Sequence, residues 1–103
     1  MDIKAVEKNV EEAARVLKAL SNERRLMIVC VLHKGEHSVG ALEEIIGLSQ
    51  SALSQHLARL RRDGLVQTRR DAQTIYYSLK SADLDKILVC LYEIYCDETE
   101  CCD

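Results

Sequence analysis

Apolar residues recur every three or four positions over most of this chain, and one stretch near its middle shortens that period. Between residues 5 and 20, Val6, Val10, Ala13, Leu17 and Leu20 form one stripe with charges opposite, which predicts an amphipathic helix in need of a cover. Ser21 and Asn22 can cap a second helix, with Glu23 in its positive first turn. Residues 26–32 of that helix are apolar on every side, so it is expected to run through the core and stop at Gly35. Ser38 precedes a short third helix carrying Leu42 and Ile46 and closed by Gly47. After Leu48 and Ser49, Leu53, Leu57 and Leu60 mark a fourth helix lasting until Gly64. Residues 65–70 and 74–79 are then rich in β-branched and aromatic types around a polar Asp71-Ala72-Gln73, the pattern of a hairpin. Ser81 caps a last helix with Leu84, Ile87, Leu88, Leu91 and Tyr95 on one stripe.

Two short helices around a glycine-containing turn make a helix-turn-helix, and a hairpin directly after it makes a winged helix. The expected fold is therefore mainly α with a β-hairpin wing, the fourth helix entering the DNA major groove and the hairpin following the backbone. The apolar stripes of the first and last helices are left uncovered, which predicts a homodimer through both termini. Such a dimer would hold its two reading helices about one turn of DNA apart, roughly 34 Å. Residues 1–96 form one domain in this reading, and 97–103 a loose, acidic, cysteine-containing tail.

At 103 residues, 48% hydrophobic and 30% charged, the chain has the size of one small domain, too small for a deep private substrate pocket. It shows no Cys-His-acid arrangement, phosphate-cradling glycine loop or paired carboxylates in an expected cleft, so an enzyme is disfavoured. No apolar run approaches the roughly 20 residues of a membrane span. Asp2, Lys4, Glu7 and Lys8 do not have the order of an export signal, so a cytoplasmic location is expected. Phe and Trp are absent and Tyr occurs four times, which argues against a stacking platform for single strands. The formal charge is −3, yet residues 49–80 hold six basic side chains against two acidic ones, leaving the rest of the chain at −7. A phosphate-contacting face on an otherwise acidic protein would have this asymmetry, as would a plainly solvated basic helix.

With Leu53, Leu57 and Leu60 inward, Ser51, Ser54, Gln55, Ala58, Arg59 and Arg62 are directed outward. Gln suits adenine, Ser several base edges, and Arg guanine or phosphate. Ser49 and Gln50 open the same helix, where Ser49 can equally serve only as its cap. His56 lies on the inward edge of the stripe, suited as much to packing as to a DNA contact. Arg69, Arg70 and Gln73 on the hairpin suit phosphate or minor-groove contacts, which add affinity more than sequence choice.

Residues 17–26 (LKALSNERRL), 48–57 (LSQSALSQHL) and 74–79 (TIYYSL) together resemble the ArsR/SmtB family of winged-helix repressors, over nearly the whole chain. Cys30 in LMIVC and Cys96 in LYEIYC are similarly placed to the paired thiols of its thiol-sensing branch, regulators of the HlyU, BigR and SqrR type. The resemblance implies a homodimer on an imperfectly palindromic double-stranded operator. It also implies that Cys30 and Cys96 respond to persulfides or oxidants by joining within one subunit and altering DNA affinity. A disulfide needs Cα atoms about 4.4–6.8 Å apart, so thiols held farther apart would need an inserted sulfur bridge or backbone movement. Attack requires a lowered pKa, for which Arg24, Arg25 or Lys86 are candidate sources of positive potential. Packing as a small hydrophobe remains an alternative for Cys30.

A metal-responsive reading has less support, and no metal ligand set or cofactor is expected. Where family metal sensors often place Cys-x-Cys, this sequence has Ser38-Val39-Gly40-Ala41-Leu42; the last helix has no His. His33 and His37 have i, i+4 spacing, but Gly35 interrupts them. Cys101 and Cys102, with Cys96, are a conceivable soft-metal group, and Cys90 reads as a core or dimer-face residue. The function expected is thus a DNA-binding regulator under thiol control. The alternatives are a metal- or metalloid-responsive repressor, a regulator that displaces a silencing protein, and a protein-interaction or thiol-carrier module.

Overall fold

Each helix begins where a side-chain oxygen takes over an otherwise unpaired backbone N–H. The computed structural model describes residues 1–96, in the order α1 (Ile3–Leu20), α2 (Glu23–His33), β1 (His37–Ser38), α3 (Val39–Ile46), α4 (Gln50–Arg62), β2 (Val66–Asp71), β3 (Thr74–Leu79) and α5 (Ala82–Tyr95). The tail expected at 97–103 lies outside the described residues. Asp2 caps α1, and Asn22 caps α2 by accepting from both Arg24 and Arg25 N–H at 3.0 Å. Ser38, Ser49 and Ser81 cap α3, α4 and α5 in the same way. Gly47 ends α3 in the left-handed region, at φ 78°, where a β-carbon would be strained.

The core is aliphatic and centred on α2. Ile28, Val29 and Leu32 are buried against Leu42 of α3 and the Leu53, Leu57 and Leu60 face of α4. Leu84 and Leu88 of α5 join them, whereas α1 contributes only Ala19 and Leu20 at its end. The expectation that residues 26–32 are enclosed on all sides is corrected here. Met27 and Cys30 are exposed, because one small domain has elements to cover only one side of α2.

β2 and β3 pair antiparallel from Val66 opposite Leu79 to Asp71 opposite Thr74, so the wing turns over Ala72 and Gln73 alone. Ala72 takes a left-handed φ of 57° there. A third strand, β1, was not foreseen; its two residues pair with Tyr76 and Tyr77, giving the order β1-β3-β2. A segment of two residues has no readable period, and only the neighbouring β3 edge makes it a strand. The pairing anchors the wing to the start of the helix-turn-helix.

Val6, Val10 and Leu17 on α1, and Val89, Tyr92 and Tyr95 on α5, remain exposed. The radius of gyration is 14.9 Å, above the roughly 13 Å of a compact chain this long, as expected when α1 meets the core only at its end.

Candidate nucleic-acid interface

Burial of Leu53, Leu57 and Leu60 fixes the rotation of α4. Gln50, Ser51, Ser54, Gln55, Ala58, Arg61 and Arg62 are thereby exposed. Gln50, Ser54, Ala58, Arg61 and Arg62 share a concave surface of about 620 Å³ with Val39 and with Ile75 and Tyr77 of the wing. Arg61 was missed by the sequence reading because it directly follows the buried Leu60 and does not lie on the Ser51–Gln55–Arg59–Arg62 line. Ser51 and Gln55 lie on the outer side of α4, off this concavity, and Arg70 and Gln73 are exposed along the wing.

Two of the named residues, Arg59 and Arg69, are turned to partners within the chain, and a third, His56, is packed against it. His56 is half-buried, and burial together with the Arg25 and Arg24 guanidinium groups holds its imidazole below the ordinary histidine range. Arg59, expected to point outward, is half-buried and donates from Nε to Asp63 Oδ2 at 2.9 Å. Arg69 makes a two-pronged ion pair with Glu36, 2.7 and 3.1 Å long, while its guanidinium lies 4.5 Å from the centre of the Tyr76 ring. That arrangement holds the Glu36 carboxyl below the usual carboxylate range.

On another side of the molecule, Cys30 and Cys96 line one groove of about 640 Å³ between α2 and α5. Leu26, Leu88, Leu91, Tyr92 and Tyr95 supply its apolar wall, and His33 and Lys34 its polar edge. His33 Nδ1 lies 2.6 Å from Asp85 Oδ1, tying the end of α2 to the start of α5. His37 turns the other way, its Nδ1 2.7 Å from the Gly35 carbonyl, so the two histidines do not converge. The candidate sources of positive potential do not lower the Cys30 pKa: partial desolvation on the groove wall pushes this thiol up, which slows its attack without preventing it. Arg24 and Arg25 hydrogen-bond to the Ile46 and Ala19 carbonyls instead, and Lys86 faces Asp83. Cys90 is exposed on α5. Among the described residues, no three His, Cys, Asp or Glu side chains converge as a metal site, and no helix is long and apolar enough to cross a membrane.

Residues 22–68, from the cap of α2 into the wing, match the sequence profile of the "Bacterial regulatory protein, arsR family". The chain is also 50% identical over 100 residues to the transcriptional activator HlyU of Vibrio cholerae, covering 97% of this chain and 93% of that one. This chain belongs to the arsR family. Two solved structures of relatives share its fold. One is reduced HlyU from Vibrio cholerae, with TM-score 0.85 and 52% identity, covering 91% of this chain and 99% of that one. The other is the transcriptional repressor BigR from Xylella fastidiosa, with TM-score 0.89 and 45% identity, covering 94% and 99%. Winged helix-turn-helix architecture and transcriptional regulation through DNA are thus properties of this arsR-family chain.

Proposed function

We propose that this arsR-family regulator binds its operator as a homodimer and that the thiols of Cys30 and Cys96 control that binding. The observation that carries the proposal is that two cysteines distant in sequence line one groove, between a core helix and a terminal helix. Base edges are read by Gln50, Ser51, Ser54 and Gln55, with Ser49 presenting the helix as its cap. Phosphates are met by Arg61, Arg62, Arg70 and Gln73, and Arg69 joins them by exchanging Glu36 for phosphate. His56 packs behind this surface rather than on it. The uncovered stripes of α1 and α5 form the subunit contact, residues 1–96 acting as one unit.

Joining Cys30 to Cys96 removes two hydrogens. Peroxide takes both, its two oxygens leaving as water. With a hydropersulfide, each thiol first gains one sulfur atom and releases a thiol. The two persulfides then couple to a tetrasulfide as a third hydropersulfide takes up their hydrogens and leaves as thiol and hydrogen sulfide. Either bridge draws α5 towards α2 and shifts the subunit contact, which changes the separation of the two α4 helices. The relatives include both an activator and a repressor, so the shared property is DNA binding rather than its sign.

The test is intact mass before and after peroxide or a persulfide donor, paired with fluorescence anisotropy on a duplex selected from a randomised pool. A bridge localised to Cys30 and Cys96 with weaker binding is expected, lost in Cys30→Ser, which still binds DNA. Sensitivity retained in that variant would sink the pairing, and restoration by chelators rather than reductants would favour metal control.

A further inference from the structure

Asp63 is the one buried charged residue among the described residues, at 8% exposure, and it stands at the carboxyl end of α4. A buried carboxylate is tolerated only when its oxygens are engaged. Its Oδ2 accepts from Arg59 Nε at 2.9 Å, and its Oδ1 lies 3.8 Å from Arg62 Nε and 3.9 Å from Arg15 Nη1. Arg15, reaching across from α1, also donates to the Asp63 carbonyl. The same cluster is felt on α2: burial and Arg59 push the Arg25 guanidinium down, and Asp63 opposes them. One side chain thus holds two cations of the reading helix and joins that helix to α1.

Arg59 and Arg62 belong to the basic segment, and a guanidinium unrestrained at that helix end would contact phosphate on any duplex. We infer that Asp63 is a specificity-determining positioning residue: it withdraws Arg59 from DNA, orients Arg62, and sets the end of α4 against α1. This rests on the DNA-reading role of α4. The carboxylate suppresses sequence-independent affinity, so that base contacts by Gln50, Ser54 and Gln55 decide where the protein stays.

Asp63→Asn keeps the size of the side chain and removes its charge. Anisotropy titrations over a salt series would compare a duplex selected from a randomised pool by the wild-type protein with a scrambled duplex. The variant should bind the scrambled duplex about five-fold more tightly at low salt, with the slope of log affinity against log salt steeper by about 0.9 for each additional phosphate neutralised. Its preference for the selected duplex should fall. A merely structural residue would instead lower both affinities in proportion to the folded fraction with no change of slope, and that result overturns the inference. Should Asp63→Asn not fold, Arg59→Gln decides: an unchanged slope on scrambled DNA supports the withdrawal of Arg59, and a slope shallower by about 0.9 refutes it. A wild-type protein that selects no duplex would refute the DNA-reading role of α4 instead, and the inference with it.

Discussion

At the scale of single residues, environment turns similar side chains to different work. His56 has its folded pKa depressed by burial and by Arg25 and Arg24, so protonation is harder in the folded protein than in the unfolded chain. The stability this reflects is present above the ordinary histidine range and is lost as pH falls through the depressed value. Melting temperature should therefore drop as pH falls from above the ordinary histidine range through the depressed value, and His56→Gln should flatten that drop in a calorimetric series. An equal drop in both proteins would assign it to other groups. Cys30 has the opposite sign, burial favouring the neutral thiol. Its alkylation rate, followed by peptide mass, should keep rising beyond the ordinary thiol range, to which an unperturbed thiol would be confined.

Elements depend on a few positions that hold them to one another. The wing turns through Ala72 at a left-handed φ, a conformation costing an L-residue about 1 kcal/mol or more. Ala72→Gly should raise stability by up to about 1 kcal/mol in urea unfolding, the relief being offset in part by the greater freedom of glycine in the unfolded chain. Loss of stability would mean that the alanine methyl makes contacts worth more than the strain. The Glu36–Arg69 pair ties the wing across the sheet to the residue before β1, and a phosphate reaching this guanidinium would compete with Glu36 for it. Glu36→Gln should strengthen binding to unselected duplex about two- to five-fold at low salt and steepen the slope of log affinity against log salt by about 0.9. Weaker binding would show that the pair is needed to shape the wing rather than to restrain it.

For the whole molecule, the decisive feature is how little of α1 the chain itself covers. Val10 and Leu17 are 48% and 58% exposed, an unusual extent of bare aliphatic surface unless another copy takes it up. Leu17→Glu should give monomers in sedimentation equilibrium, with operator affinity down at least about ten-fold because two half-sites are no longer read together. A variant that stays dimeric would move the contact elsewhere.

The order of helices, the caps of α2 to α5, the hairpin and the inward leucines of α4 were legible in the sequence, because each follows from local periodicity and from which residue can accept an N–H; the Asp2 cap of α1 was not read. The basic segment was legible from the count of charges, whereas Cys30 and Cys96 were singled out only by the resemblance to the thiol-sensing branch. Side-chain partners were not legible, since ion pairs join positions whose separation along the chain carries no signal. Glu36 meets Arg69 and Arg15 meets Asp63 only after the fold has brought β1 beside β3 and α1 beside the end of α4. Burial of Asp63 and the raised pKa of Cys30 are likewise consequences of packing density around a group. Sequence by itself determined the five helices, the hairpin and the apolar face of every helix but α2, whereas tertiary structure alone made β1 a strand and decided which charges are paired and which are exposed, because partners are set by distance in space.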